Sequence, residues 1–199
     1  MTLVSASVAV RQWRLLALPL LAVGLATAAP SLAAPQPAQL TPTFKDRDGP
    51  DGPGKGAAPC SVRFAEILDE RRSSDVLGVI DRRAILAPKD FQAWMKAVLG
   101  GLPARGVTVV EPDAAAAPAI PSAKLALQIA SIQSTVVTYS ASVVVKLRVE
   151  GQADRSYRGR VARTAYWSGG TDTLQSAVDG AFADALDEMA VDLKGMCTA

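Results

Sequence analysis

YSASVVVKLRVE, residues 139–150, decides the fold. Tyr139, Ala141, Val143, Val145, Leu147 and Val149 fall on one side of an extended chain. Lys146, Arg148 and Glu150 fall on the other. A period of two with one dry and one wet side marks a strand in a half-covered sheet. The flanking sequence repeats the pattern. In KLALQIAS, residues 124–131, Leu125, Leu127 and Ile129 point one way and Lys124, Ala126 and Gln128 the other. GQAD, residues 151–154, has turn chemistry, and RSYRGRVARTAYW, residues 155–167, follows as a third strand. Three neighbouring strands of this kind predict an antiparallel meander.

Helices are expected on either side of the meander. Pro88 suits a first helical position, with Asp90 complementing the helix dipole. Phe91, Met95 or Trp94, Val98 and Leu102 then share a face, and Gly100, Gly101 and Pro103 stop the helix. After the meander, Thr171 or Ser168 is a candidate N-cap. Leu174, Val178, Ala181, Ala185, Met189 and Met196 recur at helical spacing, leaving Asp179, Asp184, Asp187, Glu188 and Asp192 mostly for a wet face. Val62 and Phe64, with Ile67 or Leu68, read as a first strand of imperfect alternation, and VTVV, residues 107–110, as a short buried one. The expectation is a two-layer α+β sandwich: a mostly antiparallel sheet of about five strands with two helices on one face, in the order β-α-β-β-β-β-α.

The start of the chain reads as an address. Arg11 and Arg14 precede LLALPLLAVGL, residues 15–25, and small-residue cleavage sites follow by residue 34. The apolar run is shorter than the roughly 20 residues that span a bilayer. Residues 1–34 are therefore read as a signal peptide for export to the periplasm. Removing Arg11 and Arg14 from the 21 basic residues leaves 19 against 19 acidic ones. That balance argues against a nucleic-acid partner, which would need a cationic surplus. Residues 35–59, rich in Pro, Gly and charge, read as a disordered linker, with the domain over residues 60–199. DRDGPDG, residues 46–52, resembles the start of a calcium loop but has Ala57 where a bidentate Glu belongs, so no metal is expected. Cys60 and Cys197 flank the domain and, in an exported chain, predict a disulfide. That bridge would bring the last helix back to the start of the first strand, so the strand before it should run parallel to the first.

The element order, with Asp69-Glu70-Arg71 after the first strand, Leu77-Gly78 and Arg105-Gly106-Val107, resembles the YajG-like family of bacterial envelope lipoproteins. Similar layouts occur in auxiliary lipoproteins of envelope ABC transporters and in lipopolysaccharide-assembly lipoproteins. The resemblance covers roughly residues 60–197 and implies a small non-enzymatic periplasmic domain. The chain departs from the family in having no cysteine at the cleavage site. It is therefore expected at the membrane only through a partner or an uncleaved signal.

The chain has no histidine, which removes Ser-His and Cys-His catalysis and the commonest nitrogen ligand of zinc. No cofactor motif is present, and SGGT, residues 168–171, lacks the lysine and spacing of a P-loop. Two stretches are candidate partner surfaces. In ERRSSD, residues 70–75, Arg71 and Arg72 can pair with Asp69 around two serines; a solvated turn is favoured over an anion- or partner-binding lip. Arg158 and Arg160, with Tyr157, Tyr166 and Trp167 interleaved, suit carboxylate, phosphate or protein partners, or else form an outer sheet face balancing the acidic last helix. The function expected is an accessory or interaction subunit in envelope assembly, maintenance or transport, with an envelope protein as partner. The alternative is a periplasmic module binding a small ligand between sheet and helices. A hydrolase using paired carboxylates ranks below both.

Overall fold

The computed structural model describes residues 35–46, 60–111, 120–135, 138–164 and 170–197. The segment read as a signal peptide, residues 47–59 of the linker, and Tyr166 and Trp167 lie outside the described residues. Among the described residues the fold is α+β, with two α-helices and two sheets. The larger sheet is curled and mixed, in the order β5-β2-β6-β7-β8. It comprises β2 (Cys60–Asp69), β5 (Val107–Val110), β6 (Ser122–Ser134), β7 (Tyr139–Val149) and β8 (Arg155–Arg163).

The meander is present as expected: β6, β7 and β8 pair antiparallel. All six predicted dry residues of β7 are buried, and the residues between them are only half-buried. The sheet as a whole is not mostly antiparallel, however. β2 pairs parallel with β5 on one side and with β6 on the other. The chain between β2 and β5 crosses over through a helix, and such a crossover returns a strand in the same direction. Strand β8 runs antiparallel to β7 and thus parallel to β2, the direction the cysteine pair demanded.

Two bulges correct the strand readings. In β6 the register shifts between Leu127 and Ile129, so two residues oppose one on β7. Ala130 and Ile132 therefore turn inward and Ile129, expected on the dry side, is 47% exposed. In β2 the shift between Phe64 and Glu66 explains the imperfect alternation: Phe64 is buried and the next packed residue is Ile67.

The helical layer lies on the dry face. α1 (Phe91–Leu99) begins at Asp90, which caps the helix by accepting from the Ala93 N–H at 2.9 Å. The first helical residue is Phe91, so the predicted opening at Pro88 is three residues early. A short 3-10 helix, Pro103–Arg105, follows, and Gly106 leaves it at φ 79°, a left-handed conformation suited to glycine. α2 (Thr171–Cys197) lies over β7 and β8. It approaches β8 so closely that a Cβ on Gly159 would stand 1.6 Å from the Ala181 carbonyl oxygen. Trp94 and Phe182 meet edge to face at 5.2 Å, joining the two helices.

A second sheet was not foreseen. β3 (Val76–Ile80) and β4 (Arg83–Leu86) form a hairpin through Asp81 and Arg82, both at positive φ, and β1 (Ala38–Gln39) pairs parallel with β4. Leu77, Ile80 and Ile85 join the core, and Gly78 passes against the backbone of Ile132. The element order is therefore richer than β-α-β-β-β-β-α. The linker expectation is corrected too. Residues 35–46 are packed against the domain: Leu40 is buried, Phe44 touches Gly101, and Gln39 donates to the Ala87 carbonyl. Two apolar anchors and a strand pairing supply what the average composition of that stretch concealed.

Candidate interaction surface

The stretch after β2 folds into a clamp. Arg71 Nε and Nη2 donate to Asp69 Oδ1 and Oδ2 at 2.8 and 2.7 Å, a bidentate pair. The same guanidinium lies 5.7 Å from the ring centres of both Phe91 and Trp94. The Arg71 side chain is only 4% exposed, and its hydrogen bonds hold the Asp69 carboxyl below the ordinary carboxylate range. Asp69 and Arg71 thus attach the end of β2 to α1. Arg72, Ser73, Ser74 and Asp75 remain exposed. They stand beside a surface cleft of about 470 Å³ that Gln39, Ser74, Asp75, Lys89 and Phe91 help to line. The turn leads into the β3–β4 hairpin, not directly to the first helix as the sequence suggested.

The second candidate stretch divides by strand parity. Tyr157 points to the dry side, is 4% exposed and donates its hydroxyl to Asp192 at 3.0 Å. Burial first, and that hydrogen bond second, raise its pKa. Tyr157 is therefore a core residue, not part of a surface with its neighbours. Arg158 and Arg160 point to the opposite side and are exposed. They belong to the sheet face that carries no helix, with Lys124, Ile129, Val144, Lys146 and Arg148. At one end of this face charges are matched. Lys146 meets Asp154 at 2.6 Å, and Arg148 meets Glu70 at 2.8 Å. These contacts lower the Asp154 pKa, through Lys146 first, and raise that of Arg148, through Glu70 first.

One polar node escaped the sequence reading. Arg105, with its side chain 3% exposed, uses all five guanidinium hydrogens. Nε donates to Asp187 at 2.6 Å, Nη1 to Asp46 and to the Gly101 carbonyl at 2.9 Å, and Nη2 to Asp46 at 3.0 Å and the Ala183 carbonyl at 3.4 Å. Burial opposes its charge, but the two carboxylates outweigh that cost and raise its pKa. The node ties residues 35–46 to α2. Beside it, Asp179, expected on the wet face, is 2% exposed. It accepts from Gln175 Nε2 at 2.9 Å and from the Lys45 N–H at 3.1 Å. Desolvation raises its pKa.

Beneath α2 the interior among the described residues is filled. The cavity among Met95, Leu125, Val145, Phe182 and Met189 measures about 10 Å³, about the least that holds one water. A second cleft, of about 230 Å³, opens between α1 and the β2–β5 edge of the sheet, lined by Phe64, Ile67, Lys96, Leu99 and Val109. A small ligand between sheet and helix, the alternative expectation, therefore has room only at that edge. Cys60 and Cys197 are joined, with Cα atoms 5.5 Å apart, within the range a disulfide tolerates.

No protein-family model matches the chain, and no curated protein does. Among solved structures the chain is similar to protein XCC0632 of Xanthomonas campestris, from family DUF330. That match has 16% identity and a TM-score of 0.41, covering 80% of this chain and 93% of the other. It is also similar to a minor lipoprotein of Acinetobacter baumannii. There the identity is 10% and the TM-score 0.32, over 67% of this chain and 90% of that one.

Proposed function

We propose that the chain is an exported, non-enzymatic domain of the bacterial envelope, acting as an accessory or interaction subunit in assembly, maintenance or transport. The placing of the open space at the surface carries the reading. Beneath α2 only about 10 Å³ is free, and the larger clefts, of about 230 and 470 Å³, open at the surface, where binding partners meet. The Cys60–Cys197 bridge suits an oxidising compartment, and Arg11, Arg14 and the apolar run of residues 15–25 supply the route there. The YajG-like resemblance of Asp69-Glu70-Arg71, Leu77-Gly78 and Arg105-Gly106-Val107 points the same way.

The test is an affinity-tagged chain expressed at native level, with fractionation by osmotic shock and purification after mild cross-linking. The expected result is a periplasmic protein, oxidised as isolated, that brings down an envelope protein in reproducible stoichiometry. A chain retained in the cytoplasm, or one that repeatedly purifies alone, overturns the reading.

A further inference from the structure

We infer that the helix-free sheet face beside Arg158 and Arg160 docks an acidic, extended segment of a partner protein, with carboxylates on alternate residues, laid along β8. The inference rests on the interaction-subunit reading above and names the partner's chemistry.

The face has an electrostatically closed end and an open one. At the closed end Lys124 meets Glu66 at 2.8 Å, Lys146 meets Asp154, and Arg148 meets Glu70 and, at 3.5 Å, Asp154. At the open end neither Arg158 nor Arg160 has an acidic partner among the described residues. Strand register places Arg158 beside Val144 and Val144 beside Ile129, and Arg160 beside Ser142 and Ser142 beside Ser131. Two guanidinium groups thus stand on one side of a strand, about 7 Å apart along it. Next to them lie a short apolar strip and two hydroxyls. An extended segment repeats its side chains at the same interval, so carboxylates on alternate residues would meet both arginines. Each pair could form the planar two-point contact that guanidinium favours. β8 is also the terminal strand of its sheet among the described residues, the position at which an extended partner segment can be laid.

Other occupants fit less well. Two unpaired arginines would enrich the protein at an anionic lipid surface by only about thirtyfold. A second copy could offer exposed Asp172 and Glu188 from α2, but these stand 16 residues, about 24 Å, apart along the helix. They cannot meet two arginines about 7 Å apart, while Asp187 is held by Arg105 and Asp192 by Arg155 and Tyr157.

The experiment replaces, one at a time, Ile129, Val79 and Val191 by a photo-reactive phenylalanine analogue in the full chain, expressed in its own envelope. All three positions are exposed, on the sheet face, the hairpin and α2. The expected outcome is a protein cross-link from position 129 alone. Its partner peptide should carry at least two carboxylates on alternate residues. Arg158→Glu/Arg160→Glu should reduce the yield at least tenfold, whereas Arg158→Lys/Arg160→Lys should keep part of it. Both arginines are exposed, so an unchanged melting temperature accompanies either pair. A cross-link from position 79 or 191 but not 129 overturns this inference and leaves the interaction-subunit reading standing. So does a partner peptide without acidic alternation, a cross-link to lipid or to a second copy, or a yield indifferent to charge reversal. No cross-link from any position counts against both.

Discussion

Replacing Gly159 by alanine should be among the most damaging single-methyl changes in the molecule. The added Cβ would lie 1.6 Å from the Ala181 oxygen, 2.7 Å from its carbonyl carbon and 3.0 Å from the Ala185 nitrogen. All three are backbone atoms of a 27-residue helix, so no side chain can rotate away. α2 must retreat from β8 by roughly 1.5 Å, and gaps of that order forfeit a quarter to a half or more of the dispersion energy of the atoms they separate. Val178, Phe182 and Met189 are buried on α2, and burying each such side chain is worth about 1.5–3 kcal/mol. Partial loss across three of them comes to about 3 kcal/mol, at the top of the ordinary range for overpacking. Reduced chain entropy in the unfolded state offsets no more than about 1 kcal/mol. The net loss of about 2–3 kcal/mol should lower the melting temperature by roughly 5–10 °C. Urea denaturation of Gly159→Ala beside the parent gives the answer. A loss under 1 kcal/mol at unchanged m value would refute the account of close helix–strand contact.

Four further outcomes are expected. Reducing the Cys60–Cys197 bond, which closes a loop of 137 residues, should cost up to about 5 kcal/mol by chain entropy; a melting curve indifferent to reductant contradicts this. Asp69→Ala leaves the buried Arg71 charge unpaired and should cost about 2–3 kcal/mol, below the full value for buried pairs because Asp69 is partly solvated; matched denaturation of the two proteins decides. Arg105→Lys cannot supply the five donors in use, so hydrogen exchange should accelerate at Leu40 and Lys45 and leave β7 protected; equal rates would show that residues 35–46 do not depend on the node. For Asp179 the native pKa lies above its ordinary 3.8, so the native state binds the proton more tightly. The group favours folding most below that value and loses this contribution as pH rises through its native pKa. The stability of the parent relative to Asp179→Asn should therefore fall with rising pH from about 4 and then level off; a difference flat with pH removes the argument.

What was legible depended on whether a local rule had a single reading. Every second residue of β7 is apolar and each proved buried, because a central strand under a helical layer has no freedom to slip. The hairpin was hidden for the opposite reason. Its turn is Asp81-Arg82, at φ 48° and 64°, where Asn-Gly or Asp-Gly would have announced a two-residue turn. Arginine gives no such signal, and the turn is carried by Leu77, Ile80 and Ile85 packing into the core. Residues 35–46 were lost to averaging, since Leu40 and Phe44 anchor a stretch whose composition is otherwise that of a linker. Bulges are likewise silent: nothing in QIAS says that Ile129 will face water, and the unequal pairing with β7 decides it.

The surface residues show how far parity alone can reach. Tyr157 was grouped with Arg158 and Arg160 because they are adjacent, yet alternation already assigns Tyr157 and Arg158 to opposite faces. The buried tyrosine and the exposed arginines follow that rule. Arg71 required more than parity. Its charge is removed from the surface by a carboxylate two residues away and by two aromatic rings from α1. Only the return of the helix supplies those rings. Strand direction is a third kind of information, absent from periodicity altogether, and here the cysteines carried part of it. A bridge from the first residue of β2 to the last of α2 requires α2 to run back along the sheet to where β2 starts. The strand feeding α2 must then end at the far edge, where β2 ends. β8 runs parallel to β2 for that reason. That direction fixes which way β8 presents Arg158 and Arg160 along the open face.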